Sequence, residues 1–314
     1  GEALHAPARR PTGRRHHGVI RLTLVAALLA AQAGRADTWA SGGVTTPALR
    51  APEVREKDRR IAELLAARKW DALLLTLARN QAWALAGSDT RIVLAQAESP
   101  VWLLYLRGGK KVLVSNNIEA ARLLAEEGLE EIGFERRIAP WYEGLGGGAD
   151  ARWKAVRDLV GGGSVGCDAP VAGTEPAADA LARTRYPLTE SEIARYRWLG
   201  RACGEAIGSV CREIAAGMTE EEIGGRMSAA LSRRGVAPTV ILVGADERLK
   251  TYRHLTPTPR RVKRYVLVNL CAAKWGLVVA VSRLVHFGAP PGALVKRMEA
   301  CARVDAAYLA AARP

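Results

Sequence analysis

The sequence predicts an α/β (α+β) fold in two units, and three observations carry that prediction. Short apolar runs alternate with helical spacing through the first half, as in residues 72–76, 101–106 and 118–127. Two Thr-x-x-Glu capping boxes, at Thr189 and Thr219, then open a pair of helices with one apolar face each. A pair of apolar strands follows, at 239–243 and 265–273. A chain of 314 residues with 49% hydrophobic content is long enough to bury two cores.

In chain order, residues 37–54 mix Ser, Gly, Thr and Pro and read as a linker. A helix is expected over 56–68, with Ile61, Leu64 and Leu65 on one face. Residues 72–76 suit a buried strand. Residues 101–106, Gly108-Gly109 and 112–115 read as strand, turn, strand, followed by a helix over 118–127 and a short strand at 165–167. Asn116 and Asn117 are read as a cap and a turn residue, and Trp141 and Tyr142 as packing groups. Gly161-Gly162-Gly163 and residues 169–176 close the first unit. The second opens at Thr189, where Ile193, Tyr196, Leu199, Ile207, Val210 and Ile214 share a helical face until Gly217. Glu220, Glu221 and Glu222 are read as complements of a helix dipole rather than as a catalytic pair. The boundaries that follow are 1–36 for a leader or disordered segment, 37–54 for a linker, 55–186 for the first domain and 187–314 for the second.

The formal net charge is +14, and much of the basic surplus sits near the N-terminus, at Arg9, Arg10, Arg14, Arg15 and Arg21 among others. No basic face interleaved with aromatics and no nucleic-acid module accompanies it, so no nucleic-acid partner is expected. Cys167, Cys203, Cys211, Cys271 and Cys301 form no CxxC pair and no zinc spacing. They read as free thiols, with Cys271 in the core. Arg14, Arg15 and Arg21 precede an apolar run at 22–33 that ends in Ala31-Gln32-Ala33, the form of a cleavable export signal. Export is one expectation. A disordered N-terminus on a cytoplasmic protein is the other. No segment reads as a membrane span.

The most specific stretch is Arg253-His254-Leu255-Thr256-Pro257-Thr258, followed by Tyr265-Val266-Leu267-Val268-Asn269-Leu270-Cys271. Together with the Gly217-Met218-Thr219-Glu220 turn between two helices, it resembles the start of the catalytic domain in the pita-bread family of aminopeptidase P, prolidase, methionine aminopeptidase and creatinase. The resemblance covers roughly 55–314 and is firmest over 188–288. It implies a creatinase-like N-terminal α/β domain followed by the first half of a pita-bread domain, since the chain reaches Pro314 within a helical pattern (Met298, Cys301, Val304, Tyr308).

The resemblance also implies a site. The metallopeptidases of the family hold two divalent ions on two Asp, one His and two Glu, and the two Asp positions match Asn269 and Ala280 here. Neither offers the charge that binds a divalent cation, so no metal is expected at these positions. Manganese, cobalt or zinc would enter only if the family site were retained. His254 matches a substrate-site residue of the peptidases and the acid–base His of creatinase. Imidazole suits that work, because its ordinary pKa of about 6.5 lies near working pH. Thr258, Arg283 and His286 complete the substrate-binding candidates. The implied activity is hydrolysis of a peptide bond near proline, or of another C–N bond, without the two-metal site. Two alternatives stay open: a metal-free amidinohydrolase with His254 as proton shuttle, and a pseudoenzyme that binds a peptide or a partner. The implied ligand is a peptide or a small amide or amidine, with a homodimer left open.

Overall fold

The computed structural model describes residues 46–143 and 151–313. The signal-like segment and the first part of the expected linker lie outside the described residues. The rest of that linker is helix. Helix α1 (Pro47–Arg68) begins at Pro47 rather than at Glu56, with the Thr46 side chain accepting from Leu49 N. Thr46-Pro47 looks like linker sequence, yet it is a cap followed by a proline at the first helical position, where a missing N–H costs nothing. Arg50, Glu53 and Lys57 on this early stretch are all buried.

Strand β1 (Ala72–Leu77) is buried along its whole length and forms the centre of a mixed sheet. It pairs antiparallel with β2 (Glu98–Leu106), which pairs antiparallel with β3 (Lys111–Asn116), which pairs parallel with β4 (Phe134–Ala139). On its other side β1 pairs parallel with β5 (Val165–Cys167), and β5 with β6 (Glu175–Pro176). Alternation along β1 sends Leu73 and Leu75 to a core shared with α1, and Ala72 and Leu74 to a second core. That second core is roofed by Ala155 and Val156 of α4 (Ala151–Val160). The remaining helices are α2 (Ala78–Ala84), α3 (Asn117–Ala125) and α5 (Ala178–Arg185). Asn116 caps α3 as expected, accepting from Ile118 N and Glu119 N. Trp141 and Tyr142 do not pack inward. They are exposed in a short turn of 3₁₀ helix and meet each other edge to face.

The second unit is a three-stranded antiparallel sheet covered on one face by two helices. Helix α6 (Glu190–Glu213) and α7 (Glu220–Ser232) each begin with the expected capping box. They pack on β7 (Ala237–Ala245), β8 (Tyr265–Lys274) and β9 (Leu277–His286). A short helix α8 (Arg248–Thr251) follows β7, and α9 (Gly292–Ala311) ends the description with no buried residue. Cys167, Cys203 and Cys211 are buried free thiols, and burial pushes each up to about 11. Cys271 is only half buried, because it lies on the uncovered face of the sheet.

Two of the contacts among the described residues that join the units bear most on their packing. The first is a buried charge quartet. Arg195 of α6 donates twice to the Glu53 carboxylate of α1, at 2.8 and 2.6 Å. Lys57 Nζ donates to Glu53 at 2.6 Å and to Glu192 at 3.0 Å. None of the four is more than 6% exposed. The second contact is the β8–β9 turn, where Trp275 and Gly276 both have positive φ (56° and 75°), as a two-residue hairpin loop of this hand requires. Its tip presses on α2, so that a Cβ on Gly276 would lie 2.7 Å from that of Ala82. Gly276→Ala is therefore expected to cost about 1–2 kcal/mol from the left-handed backbone, plus the strain of parting the hairpin from α2. Gly109 (φ 86°) has nothing within 4 Å of its missing Cβ, so Gly109→Ala carries the backbone cost alone. The thermal midpoint should fall further for Gly276→Ala. Equal falls would mean that the tip does not bear on α2.

Candidate functional site

The register of the second sheet decides what faces what. In an antiparallel pair, directly opposed residues share a face. Asn269 opposes Ser282, Cys271 opposes Ala280, Tyr265 opposes His286, and Leu242 of β7 opposes Asn269. All of these lie on the face away from α6 and α7. The intervening residues Val266, Val268, Leu270, Ala272 and Val285 fill the core beneath the helices. Asn269 and Ala280, the two positions where the resemblance leads one to expect carboxylates, are diagonal neighbours on this open face. There the Asn269 amide donates to Ser282 Oγ at 2.8 Å. His286 stacks on Tyr265 with ring centroids 6.0 Å apart.

Arg283 falls on the opposite face. It opposes Val268, and its charge lies near enough to the Cys211 thiol to oppose the effect of burial there. The register therefore separates Arg283 from Asn269, Ser282 and His286.

The segment carrying His254 and Thr258 is held at the rim of the open face by a residue that the sequence reading assigned to the helix dipole. Glu220 is fully buried. Its carboxylate accepts from Ala245 N at 2.8 Å, from Thr258 N at 3.0 Å and from Thr258 Oγ1 at 2.6 Å, and it also pairs with Arg248. Glu222 forms the capping box, and Glu221 is exposed. A second carboxylate anchors the far end of the same segment. Asp246 accepts from Lys263 N, Arg264 N and Tyr265 N at 2.8 to 3.2 Å, fixing the entry into β8. Between these anchors Leu255 lies over Gly244, where a Cβ would come within 2.5 Å of it, and its carbonyl accepts from Val243 N. His254 is thus presented next to a buried residue, itself exposed and with no hydrogen bond or ion pair among the described residues.

The groups gathered on or beside the open face are an imidazole at the rim, two hydroxyls, an amide, a thiol and a second imidazole stacked on Tyr265. They can hydrogen-bond to an amide and move a proton. They are a poor match to a two-metal centre. Asn269 is neutral and engaged with Ser282, Ala280 has no donor atom, and among the described residues no three His, Cys, Asp or Glu side chains converge. The Glu220 anchor could have been suspected from sequence only by its position, the first of three acids in a turn that needs one for its capping box. Nothing local distinguishes a buried Glu there from an exposed one.

Residues 194–314 match the family model described as metallopeptidase family M24. No curated protein sequence matches the chain. Among solved structures, the fold is similar to dipeptidase PepE from Mycobacterium ulcerans at 14% identity and a TM-score of 0.61, covering 80% of this chain and 69% of that one. It is similar to an Xaa-Pro dipeptidase from Bacillus anthracis at 15% identity and 0.58, covering 77% and 68%. It is also similar to X-prolyl aminopeptidase from Caenorhabditis elegans, described as a cytosolic enzyme with a di-nuclear active site, at 15% identity and 0.53, covering 76% and 42%. No helix among the described residues is long and apolar enough to cross a membrane. The order of two capped helices, strand, His254 segment and strand pair agrees with the fold of these similar structures, and residues 194–314, the part that carries that order, match the model of metallopeptidase family M24.

Proposed function

We propose that this chain hydrolyses peptide or other C–N bonds on the open face of β7, β8 and β9, without a two-metal centre at Asn269 and Ala280. The observation that supports this reading most directly is the Glu220-pinned segment, which presents His254 and Thr258 at the rim of the face that carries Asn269, Ser282 and His286. Water is a poor nucleophile at neutral pH and gains from a base. The His254 imidazole takes its proton as the C–O bond forms, then gives a proton to the leaving nitrogen as the C–N bond breaks. Ser282 and Asn269 supply hydrogen bonds to the amide, while Thr258, whose N–H and hydroxyl both donate to Glu220, holds the rim in place. Substrates follow from the fold's similarity to Xaa-Pro dipeptidases: peptides with proline after the scissile bond first, then small amides and amidines.

The test is turnover of Xaa-Pro dipeptides and of small amides and amidines, with and without manganese, cobalt or zinc and a chelator. The expected result is turnover indifferent to chelator that falls about a hundred- to ten-thousand-fold in His254→Ala, the usual contribution of a general acid–base group. Metal-dependent turnover abolished by chelator would overturn the metal-free reading. A second reading, a pseudoenzyme that binds peptide without cleaving it, is favoured by the apolar exposure of Val240 and Val278 on the same face. It predicts saturable peptide binding with no turnover in either protein.

A further inference from the structure

A cavity of about 330 Å³ lies in the seam between the two units, away from the open face, and its walls are aromatic: Trp83 of α2, Tyr186 after α5, Tyr196 of α6 and Trp275 of the hairpin tip. Arg185 and Glu192 also line it. Two donors here lack acceptors among the described residues. Trp83 is 5% exposed, and its Nε1 is buried with no hydrogen-bond partner. Arg185 gives one guanidinium nitrogen to Asn80 Oδ1, while its buried Nε has no partner. No carboxylate among the described residues lies within ion-pairing distance of Arg185. Glu192 does not serve it, since one of its oxygens accepts from Lys57 Nζ and the other from Thr189 N. Arg185 therefore has no direct ion-pair partner at the cavity: Glu192 and Asp168 act on its charge only through space, with Asn80 standing between Arg185 and Asp168.

Buried donors are nearly always paired, and a buried cation is nearly always neutralised. A guanidinium without a direct ion pair and an indole N–H without an acceptor, on two residues that line one aromatic-walled space, call for an acceptor that carries negative charge at one end and an apolar body at the other. A volume near 330 Å³ suits a small molecule rather than a chain. We propose that the seam binds a small monocarboxylate with a planar or cyclic apolar body, its carboxylate held by Arg185 and by Trp83 Nε1 and its body stacked among Tyr186, Tyr196 and Trp275. Because the cavity is walled by both units, such a ligand would bind across the seam and draw them together. The proposal is independent of the hydrolytic reading, since it uses no residue of the open face.

The probe is phenylacetate, with phenylacetamide as its uncharged counterpart, titrated by calorimetry into the protein as it stands and followed by the thermal midpoint. The expected result is saturable phenylacetate binding that raises the midpoint, with phenylacetamide at least tenfold weaker. Trp83→Phe keeps the ring and removes the N–H, and should weaken phenylacetate several-fold. Arg185→Gln should weaken it at least tenfold. Tyr186→Ala removes a ring that is 73% exposed, leaves the fold unburdened and should also weaken binding. The proposal is overturned if phenylacetate does not bind, if it binds no better than phenylacetamide, or if Trp83→Phe and Tyr186→Ala both leave its affinity unchanged. Water molecules bridging the two donors in a crystal soaked with phenylacetate, with no density for the ligand, would overturn it as well.

Discussion

Glu53→Ala should lower stability by about 3–5 kcal/mol, the usual result of removing one partner from a buried ion pair and leaving the others uncompensated. Arg195 would lose both hydrogen bonds to that carboxylate, and Lys57 would keep Glu192 alone. At roughly 2–4 °C per kcal/mol for a chain of this class, the thermal midpoint should fall by on the order of 10 °C. Replacing Glu53 and Arg195 together by Met should recover part of the loss, since apolar groups of similar volume can substitute for a buried pair. A fall of less than about 1 kcal/mol in Glu53→Ala would show that the quartet does not hold the seam. The pH dependence has a definite sign. Burial pushes the Glu53 carboxyl up, but the Arg195 hydrogen bonds and the Lys57 charge outweigh it, and the group ends below its ordinary 4.5. Its contribution is therefore fully present above about pH 4.5 and is lost as pH falls through the lower folded value, a loss that Glu53→Ala should not show.

Glu220→Ala should be comparably severe and should be felt at the site. It strips acceptors from Ala245 N, Thr258 N and Thr258 Oγ1, each buried donor left unpaired costing about 1–3 kcal/mol, and it leaves Arg248 without its carboxylate. Glu220 touches no substrate in this reading. Its effect on turnover would pass through the position of His254. The readout that separates positioning from general destabilisation is local: amide hydrogen exchange over 252–260 and trypsin cleavage after Arg253 should both rise in Glu220→Ala well below its midpoint, while the first unit stays protected. Thr258→Ala, which removes one of the acceptor's partners and keeps the backbone bond, should show the same pattern more weakly. Unchanged exchange over 252–260 in Glu220→Ala would remove Glu220 from the positioning role.

The sequence by itself determined what depends on neighbours in the chain. The capping boxes at Thr189 and Thr219 close within four residues, so they read correctly from spacing. The strands at 72–77 and 265–274 were visible as apolar runs, and the His254 segment as a motif. The start of α1 was missed because Thr46-Pro47 serves a linker and a helix N-terminus equally well, and the choice rests on Glu53 and Lys57 finding partners 135 to 142 residues away. The tertiary structure alone decided which acids work and which only cap. Glu192 is the third residue of a capping box and also the acceptor for Lys57, and only its first role is local. Glu220 was indistinguishable from its two acidic neighbours until α7 packed against β7 and buried it. Strand alternation sends Ser282 and Arg283 to opposite faces, but which face lies open was set by α6 and α7 packing on one side of the sheet. Burial and pairing across long loops have no local signature, because the same side chain is stable exposed to water or buried against a partner, and only the fold supplies the partner.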